Sequence, residues 1–204
     1  MPSAAPRTTS TRDRILAVAA EVIDRYGYEK ASLNMVADAV GITRPAIYYH
    51  FKSKEDLVWE FFLDGMSSLE VNVRQSLAAS DDPHEQIRLI LSAHAQRLVE
   101  FQSISAIVLG EGRNLTPKRR REVASRSSAY MEEVADVIRR GAAPGSSAAD
   151  NASRLAYAVI GCLNGSLNWR TRSSKQRRDQ SGDADMTFWV VEWALRAITQ
   201  EQQD

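Results

Sequence analysis

An all-α fold is what this sequence predicts, and three observations carry the prediction. No stretch sustains the period-two alternation of β-branched residues that marks a strand. Apolar residues recur instead at three- and four-residue spacing, the period of a helix face. Capping residues, first-turn prolines and terminating glycines then mark where one helix stops and the next begins.

The stretch MPSAAPRTTST has no apolar core, so it is not a secretory signal, and residues 1–8 read as a flexible arm. The first helix runs from about Arg12 to Tyr26, with Ile15, Ala19, Val22, Ile23 and Tyr26 on one face, and stops at Gly27. Ser32 caps a short second helix carrying Leu33, Val36, Ala37 and Val40, which ends at Gly41. Thr43 caps a third, where Pro45 is tolerated because first-turn N–H groups lack intrahelical partners anyway. Ser53-Lys54-Glu55-Asp56 reads as a capping box opening a long fourth helix, with Leu57, Phe61, Met66 and Leu69 at helical spacing. Asp82-Pro83 and Thr116-Pro117 each set a cap before a first-turn proline, and Ser147-x-x-Asp150 repeats the capping-box pattern. GAAPGSS, 141 to 147, is a turn by composition, and TRSSKQRRDQSGDAD, 171 to 185, is a long polar loop. Beyond it Met186, Trp189, Val190, Trp193 and Ala197 form the stripe of a last helix. The total is eight or nine helices without internal repeats.

The second and third helices carry the chemistry. A helix-turn-helix needs a small residue where its helices approach closely, a residue at ease with positive φ in the turn, and an apolar anchor on the second helix. Ala37, Gly41 and Ile47 supply these at the offsets the motif demands, within residues 32–51. With Ile47 and Phe51 inward, Arg44, Ala46, Tyr48, Tyr49 and His50 face outward or sideways. In a major groove Arg44 suits the O6 and N7 of guanine, and Ala46 suits a thymine methyl. Tyr48, Tyr49 and His50 suit phosphate oxygens, as do Ser32 and Lys54 at helix N-termini.

Composition narrows the alternatives. With 204 residues, 44% hydrophobic and 25% charged, the chain has enough apolar matter for a buried core and is not disordered by composition. The longest uncharged run, Leu155 to Trp169, is 15 residues, short of the roughly 20 apolar residues a membrane span needs. A single cysteine, Cys162, excludes an intramolecular disulfide and a cysteine zinc cluster, and makes the cytoplasm the default compartment. The 26 basic residues balance 26 acidic ones, and residues 1–69 hold 8 Lys/Arg against 9 Asp/Glu. DNA binding must therefore rest on where charges sit. His50, His84 and His94 have no nucleophile or metal partner by spacing, and no G-x-S-x-G, P-loop or dinucleotide fingerprint occurs. The reading is a protein that is not an enzyme, with no metal and no cofactor.

"LNMVADAVGITRPAIYYHFKSKEDL" resembles the recognition region of TetR-type (TetR/AcrR) transcriptional regulators. Shared features are the glycine turn, the following Ser/Thr, the aromatic core ending in His-Phe, and the Ser-Lys-Glu helix start. The resemblance covers roughly residues 9–69. It implies an N-terminal three-helix DNA-binding domain over 9–69 and a C-terminal helical ligand-binding and dimerisation domain over 70–204. It puts the DNA-facing set at Ser32, Thr43, Arg44, Pro45, Ala46, Tyr48, Tyr49, His50 and Lys54. One departure is Asn34, where many members have an arginine that reaches DNA.

The remainder resembles the family loosely. Leu155, Val159, Cys162, Leu163 and Leu167, with Gly161 and Gly165 four apart, make a face that a partner helix can approach closely. Trp189 and Trp193 add the large aromatics enriched at interfaces, so a homodimer built on a four-helix bundle is expected. A two-fold dimer fits a palindromic double-stranded operator, one recognition helix per half-site. Trp59, Phe62, His94, Arg97, Phe101, Glu111, Arg113 and Asn164 are candidates to line an amphipathic cavity for a small effector. Leu109 to Arg113 is similar to the sixth-helix region of members that sense acyl-CoA or other lipid-derived ligands. Lys118 to Arg121 reads as a solvated first turn. The expected function is a ligand-responsive DNA-binding regulator, a repressor. Two alternatives stay open: a DNA-binding protein without an effector, and a helical carrier that has lost DNA binding.

Overall fold

Ser10 opens the first helix. Its Oγ accepts the Asp13 N–H at 3.1 Å, while Asp13 Oδ2 accepts the Ser10 N–H at 3.1 Å, so two first-turn donors are satisfied reciprocally. The computed structural model describes residues 10–173 and 188–196, all-α in architecture. The helices are α1 (Thr11–Tyr26), α2 (Leu33–Val40), α3 (Arg44–His50), α4 (Lys54–Ala79), α5 (Pro83–Glu100), α6 (Gln102–Glu111), α7 (Pro117–Gly141), α8 (Ser147–Asp150), α9 (Ala152–Ser173) and α10 (188–196). A 3-10 turn, Gly112–Asn114, follows α6.

The predicted caps operate as read. Ser32 accepts from Met35, Thr43 from Ala46, Asp82 from His84 and Thr116 from Arg119, while Ser53 and Asp56 complete a second capping box. Gly41 sits at φ 78° and ψ 36°, the left-handed pocket that lets its N–H reach back to the Ala37 carbonyl at 3.0 Å. One cap falls elsewhere. Ser146, not Ser147, accepts the Ala149 N–H and starts α8, leaving Ser147 inside the helix. Residues 171–173, expected in the polar loop, are helical in α9; the rest of that loop and the 1–8 arm lie outside the described residues.

Two apolar cores share one helix. The first joins Ile15, Ala19 and Ile23 of α1, Val36 and Ala37 of α2, Ile47 of α3, and Phe51, Leu57, Val58 and Phe61. The second joins Phe62, Met66 and Val73 to Ile87, Ile90 and Leu91 of α5, Val134 and Ile138 of α7, Ile160 of α9 and Val191 of α10. The first turns of α4 serve one core and its later turns serve the other. At 26 residues α4 is about 39 Å long. Ile107 and Leu115, from α6 and just beyond it, also enter the first core. Each fully buried Leu, Ile or Phe side chain contributes about 1.5–3 kcal/mol, so α4 is fixed at both ends.

The face of α9 assigned to a partner needs correcting. Val159 and Leu163 are buried against α7 in the chain's own core, and Leu155 packs half-buried beside them. Helix α9 is apolar on two sides, and the 3.6-residue period alone does not say which side meets α7. Among the described side chains of α9, Arg154, Tyr157, Ala158, Gly161 and Cys162 are exposed; Leu167's surroundings lie outside the described side chains.

Candidate nucleic-acid interface and internal cavity

Helix α3 is seven residues long and buries one of them completely, Ile47. Phe51, just past its end, anchors the exit, so the rest of the helix is free to present its side chains. Tyr49 is 81% exposed and Tyr48 42% exposed, beside exposed Arg44, Pro45 and Thr43 and half-buried Ala46 and His50. The rings of Tyr49 and His50 meet edge to face at 5.3 Å. Tyr48 and Tyr49 are thus left on the surface of α3, available to contact whatever lies against that face.

Two capping groups are already in use. Thr43 Oγ1 holds the Ala46 N–H at 3.3 Å, and Ser32 Oγ holds the Met35 N–H at 3.2 Å. Lys54 is committed further: its Nζ donates to the carbonyls of Tyr28 at 2.6 Å and Glu29 at 3.1 Å, over the Tyr28 ring. The ammonium ties the start of α4 to the turn after α1 and keeps one N–H in hand. Lys52 escaped sequence reasoning. It is exposed at the foot of α3 and donates to the Tyr48 carbonyl at 2.6 Å, a cation on the negative end of the helix. Asn34 turns inward, with its Oδ1 enclosed and unpartnered. Arg12 and Arg14 are structural: Arg12 pairs with Glu60 at 2.8 Å over the Phe51 ring, and Arg14 donates to the Val40 carbonyl at 3.3 Å.

Behind this unit lies a cavity of about 440 Å³ between α4, α5, α6, α7 and α9, within the range of small-molecule sites. Phe62, His94, Arg97, Arg113 and Asn164 line it as expected. Trp59, Phe101 and Glu111 do not. Trp59 stacks behind Phe62 with ring centroids 5.6 Å apart. Phe101 lies under the Arg97 guanidinium at 4.8 Å, at the bend between α5 and α6. Glu111 is held by Asn114 at 2.6 Å and Arg113 at 3.7 Å. Tyr130, Ser105 and Ser127 are lining residues the sequence did not single out.

The buried end of the cavity is polar but uncharged. His94 Nε2–H donates to Asn164 Oδ1 at 3.1 Å, which leaves Nδ1 to accept the Tyr130 hydroxyl at 3.0 Å. Burial lowers the His94 pKa to about 4, with the Asn164 bond opposing and the Arg97 charge reinforcing the shift. Burial likewise pushes the Tyr130 hydroxyl above the ordinary phenol range, and Glu133 adds to it. Below the ordinary histidine pKa the unfolded chain binds a proton that the folded chain refuses, so stability falls with pH from about 6.5 toward 4. Between pH 7 and 5 this group costs about 2 kcal/mol. Denaturant titrations at the two pH values should show a drop of this size that is smaller in His94→Gln. An equal drop in that variant contradicts the assignment.

The run Lys118 to Arg121 is not merely solvated. Arg119 reaches Glu55 Oε1 at 3.1 Å and Asp56 Oδ1 at 2.7 Å, with its guanidinium over the Trp59 ring at 5.4 Å. Glu55 also accepts the Thr116 N–H at 2.8 Å. Desolvation by itself raises both carboxyl pKa values. The N–H donors and the guanidinium outweigh it and hold both below the ordinary range. A continuous set of contacts thus runs from the cavity wall at Phe62 through Trp59 and Arg119 to the cap that follows α3.

Tyrosines offered to solvent on one side, and a cavity one long helix away on the other, belong together in one class of protein: the helix-turn-helix transcriptional regulators. Residues 15–61 match the family model for bacterial regulatory proteins, tetR family, and residues 80–183 match that for the tetracyclin repressor-like C-terminal domain. The chain belongs to the TetR family, whose members are DNA-binding regulators. It is 25% identical over 205 residues to the helix-turn-helix-type transcriptional repressor KstR2 of Mycolicibacterium smegmatis, covering 100% of this chain and 98% of that one. Among solved structures, the TetR family regulator PfmR of Thermus thermophilus is similar at 26% identity and a TM-score of 0.75, over 93% of this chain and 97% of that one. FadR of Bacillus subtilis, solved in complex with stearoyl-CoA, shares the fold at 16% identity and a TM-score of 0.70, over 89% and 96% of the two chains. Among the described residues no helix is long and apolar enough to cross a membrane.

Proposed function

We propose that this regulator is a homodimeric repressor, released from a palindromic operator when a small amphipathic, lipid-derived effector enters the cavity between α4, α5, α6, α7 and α9. The observation that carries the reading is the shared helix. Phe62 of α4 lines the cavity, and eight residues earlier the same helix begins, just past the end of α3 and sharing α3's core through Leu57 and Val58. Arg44 and Ala46 read base edges, Tyr48, Tyr49 and His50 take phosphates, and the remaining Lys54 N–H adds another phosphate contact. A repressor of this family in M. smegmatis and a relative carrying stearoyl-CoA support the direction of the effect and the class of effector.

The dimer forms through α9 and α10. Trp189 is 63% exposed, and Phe188, Trp193 and Tyr157 are exposed with it, too much aromatic surface for a monomer to leave wet. Paired across a two-fold axis, these helices set two copies of α3 about 34–36 Å apart, one turn of DNA. The test is a footprint on DNA upstream of the protein's own gene, with a thermal-shift screen of metabolites. The expected results are protection of two successive major-groove faces, and one ligand class that stabilises the fold by about 2.7 kcal/mol at a hundred times its Kd. An unprotected promoter contradicts the operator reading. A screen without hits contradicts the effector reading.

A further inference from the structure

The polar residues at the two ends of the cavity differ in kind. Arg113 is largely exposed, whereas the Arg97 side chain is mostly buried in the cavity wall and reaches out to the exposed Asp64 at 2.8 Å. His94 and Tyr130 are buried, and with half-buried Asn164 they form a closed set in which each ring nitrogen of His94 is spoken for. One member of the set is incomplete. The Asn164 side chain lines the cavity, its Oδ1 is used by His94, and its Nδ2 amide makes no hydrogen bond among the described residues. Two N–H donors are thus offered to whatever fills the cavity, and the nearest cation, Arg97 one helical turn along α5 from His94, is already paired with Asp64.

An amide in this position selects by subtraction. An ionised carboxylate there would be desolvated with only dipoles and a guanidinium already neutralised by Asp64 to face it, which disfavours it. A purely apolar end would leave both donors desolvated and unmatched, which also costs affinity. A neutral oxygen with a free lone pair meets the donors and avoids both penalties. We infer that the effector carries an uncharged carbonyl-type acceptor at its inner end, read by Asn164, with an apolar body along Met66, Leu98 and Ile160 and any acidic group at the Arg97–Arg113 rim. This rests on the cavity being the effector site.

The test uses two matched series as probes, straight-chain fatty acids of eight to sixteen carbons and the same acids with a ketone on the penultimate carbon, titrated calorimetrically into the full chain. At the length that spans the cavity, the oxo acid binds about tenfold more tightly than its plain counterpart, the value of one good neutral hydrogen bond. Asn164→Leu removes both donors. Asn164→Asp removes them while keeping an oxygen for the His94 N–H, so it guards against a simple loss of fold. In both variants the oxo-to-plain ratio falls to near one. A ratio near one in the wild type at every length overturns the inference, as does a ratio that survives both variants. Absence of binding by either series overturns it too. Mobility shifts separate this from the regulator reading: plain acids that bind and release the operator leave the cavity as the effector site and remove only the carbonyl.

Discussion

Tyr49→Ala weakens operator binding by about tenfold per subunit and about a hundredfold for a two-fold dimer, because each copy gives up a hydrogen bond to a charged phosphate. The ring is 81% exposed, so its removal changes folding stability by no more than about 0.5 kcal/mol. Tyr48→Phe is the companion. It keeps the packing of a ring that is 42% exposed and removes the hydroxyl, so a loss of affinity there points to the phosphate contact and not to the fold. Both are read by mobility shift at one fixed salt concentration, with dimer mass checked by sedimentation. Wild-type affinity in the two variants together means α3 does not dock by this face.

Arg119→Ala produces the second large effect, and it falls on coupling. Effector binding stays within about threefold, while release of the operator by that effector is largely lost. The reason is positional. Arg119 does not line the cavity, yet it connects Trp59, stacked on the cavity residue Phe62, to Glu55 and Asp56. Asp56 in turn accepts the Lys52 N–H at 2.8 Å and the Ser53 N–H at 3.1 Å, which fixes the exit from α3. Both carboxyls are held low, so the link is intact at neutral pH and lost only as pH falls through their depressed range. Contact alone does not prove coupling. A double-mutant cycle with Trp59→Leu decides it: interaction in operator release, measured with a ligand from the thermal-shift screen, is expected, and strict additivity removes Arg119 from the route.

Much of this was legible in the residues because the signals are local. Ser10, Ser32, Thr43, Ser53 and Thr116 act within one turn, and Gly41 answers a backbone need that few other residues meet. The outward face of α3 could be read because Ile47 and Phe51 leave only one way to seat so short a helix. The cavity was half legible. Phe62, His94, Arg97, Arg113 and Asn164 were visible as polar or aromatic residues out of place, whereas Tyr130 reads as ordinary core until His94 is seen 36 positions away. Trp59, Phe101 and Glu111 misled because period alone does not separate a cavity wall from the layer behind it. Val159 and Leu163 misled in the same way, since an interface residue and a core residue are chemically alike. Arg119 sat within a basic run whose partners are more than 60 positions away in sequence.

Several cations of the DNA-facing unit are tied up at home: Arg12 pairs with Glu60, Arg14 donates to the Val40 carbonyl, and Lys54 gives two of its three donors to carbonyls. Helix α3 itself brings Arg44 as its one guanidinium. With few free cations to displace counterions from a duplex, operator affinity is expected to decline gently as ionic strength rises. The same scarcity predicts weak attachment to arbitrary sequence, so that few molecules would be needed to keep one chosen site occupied.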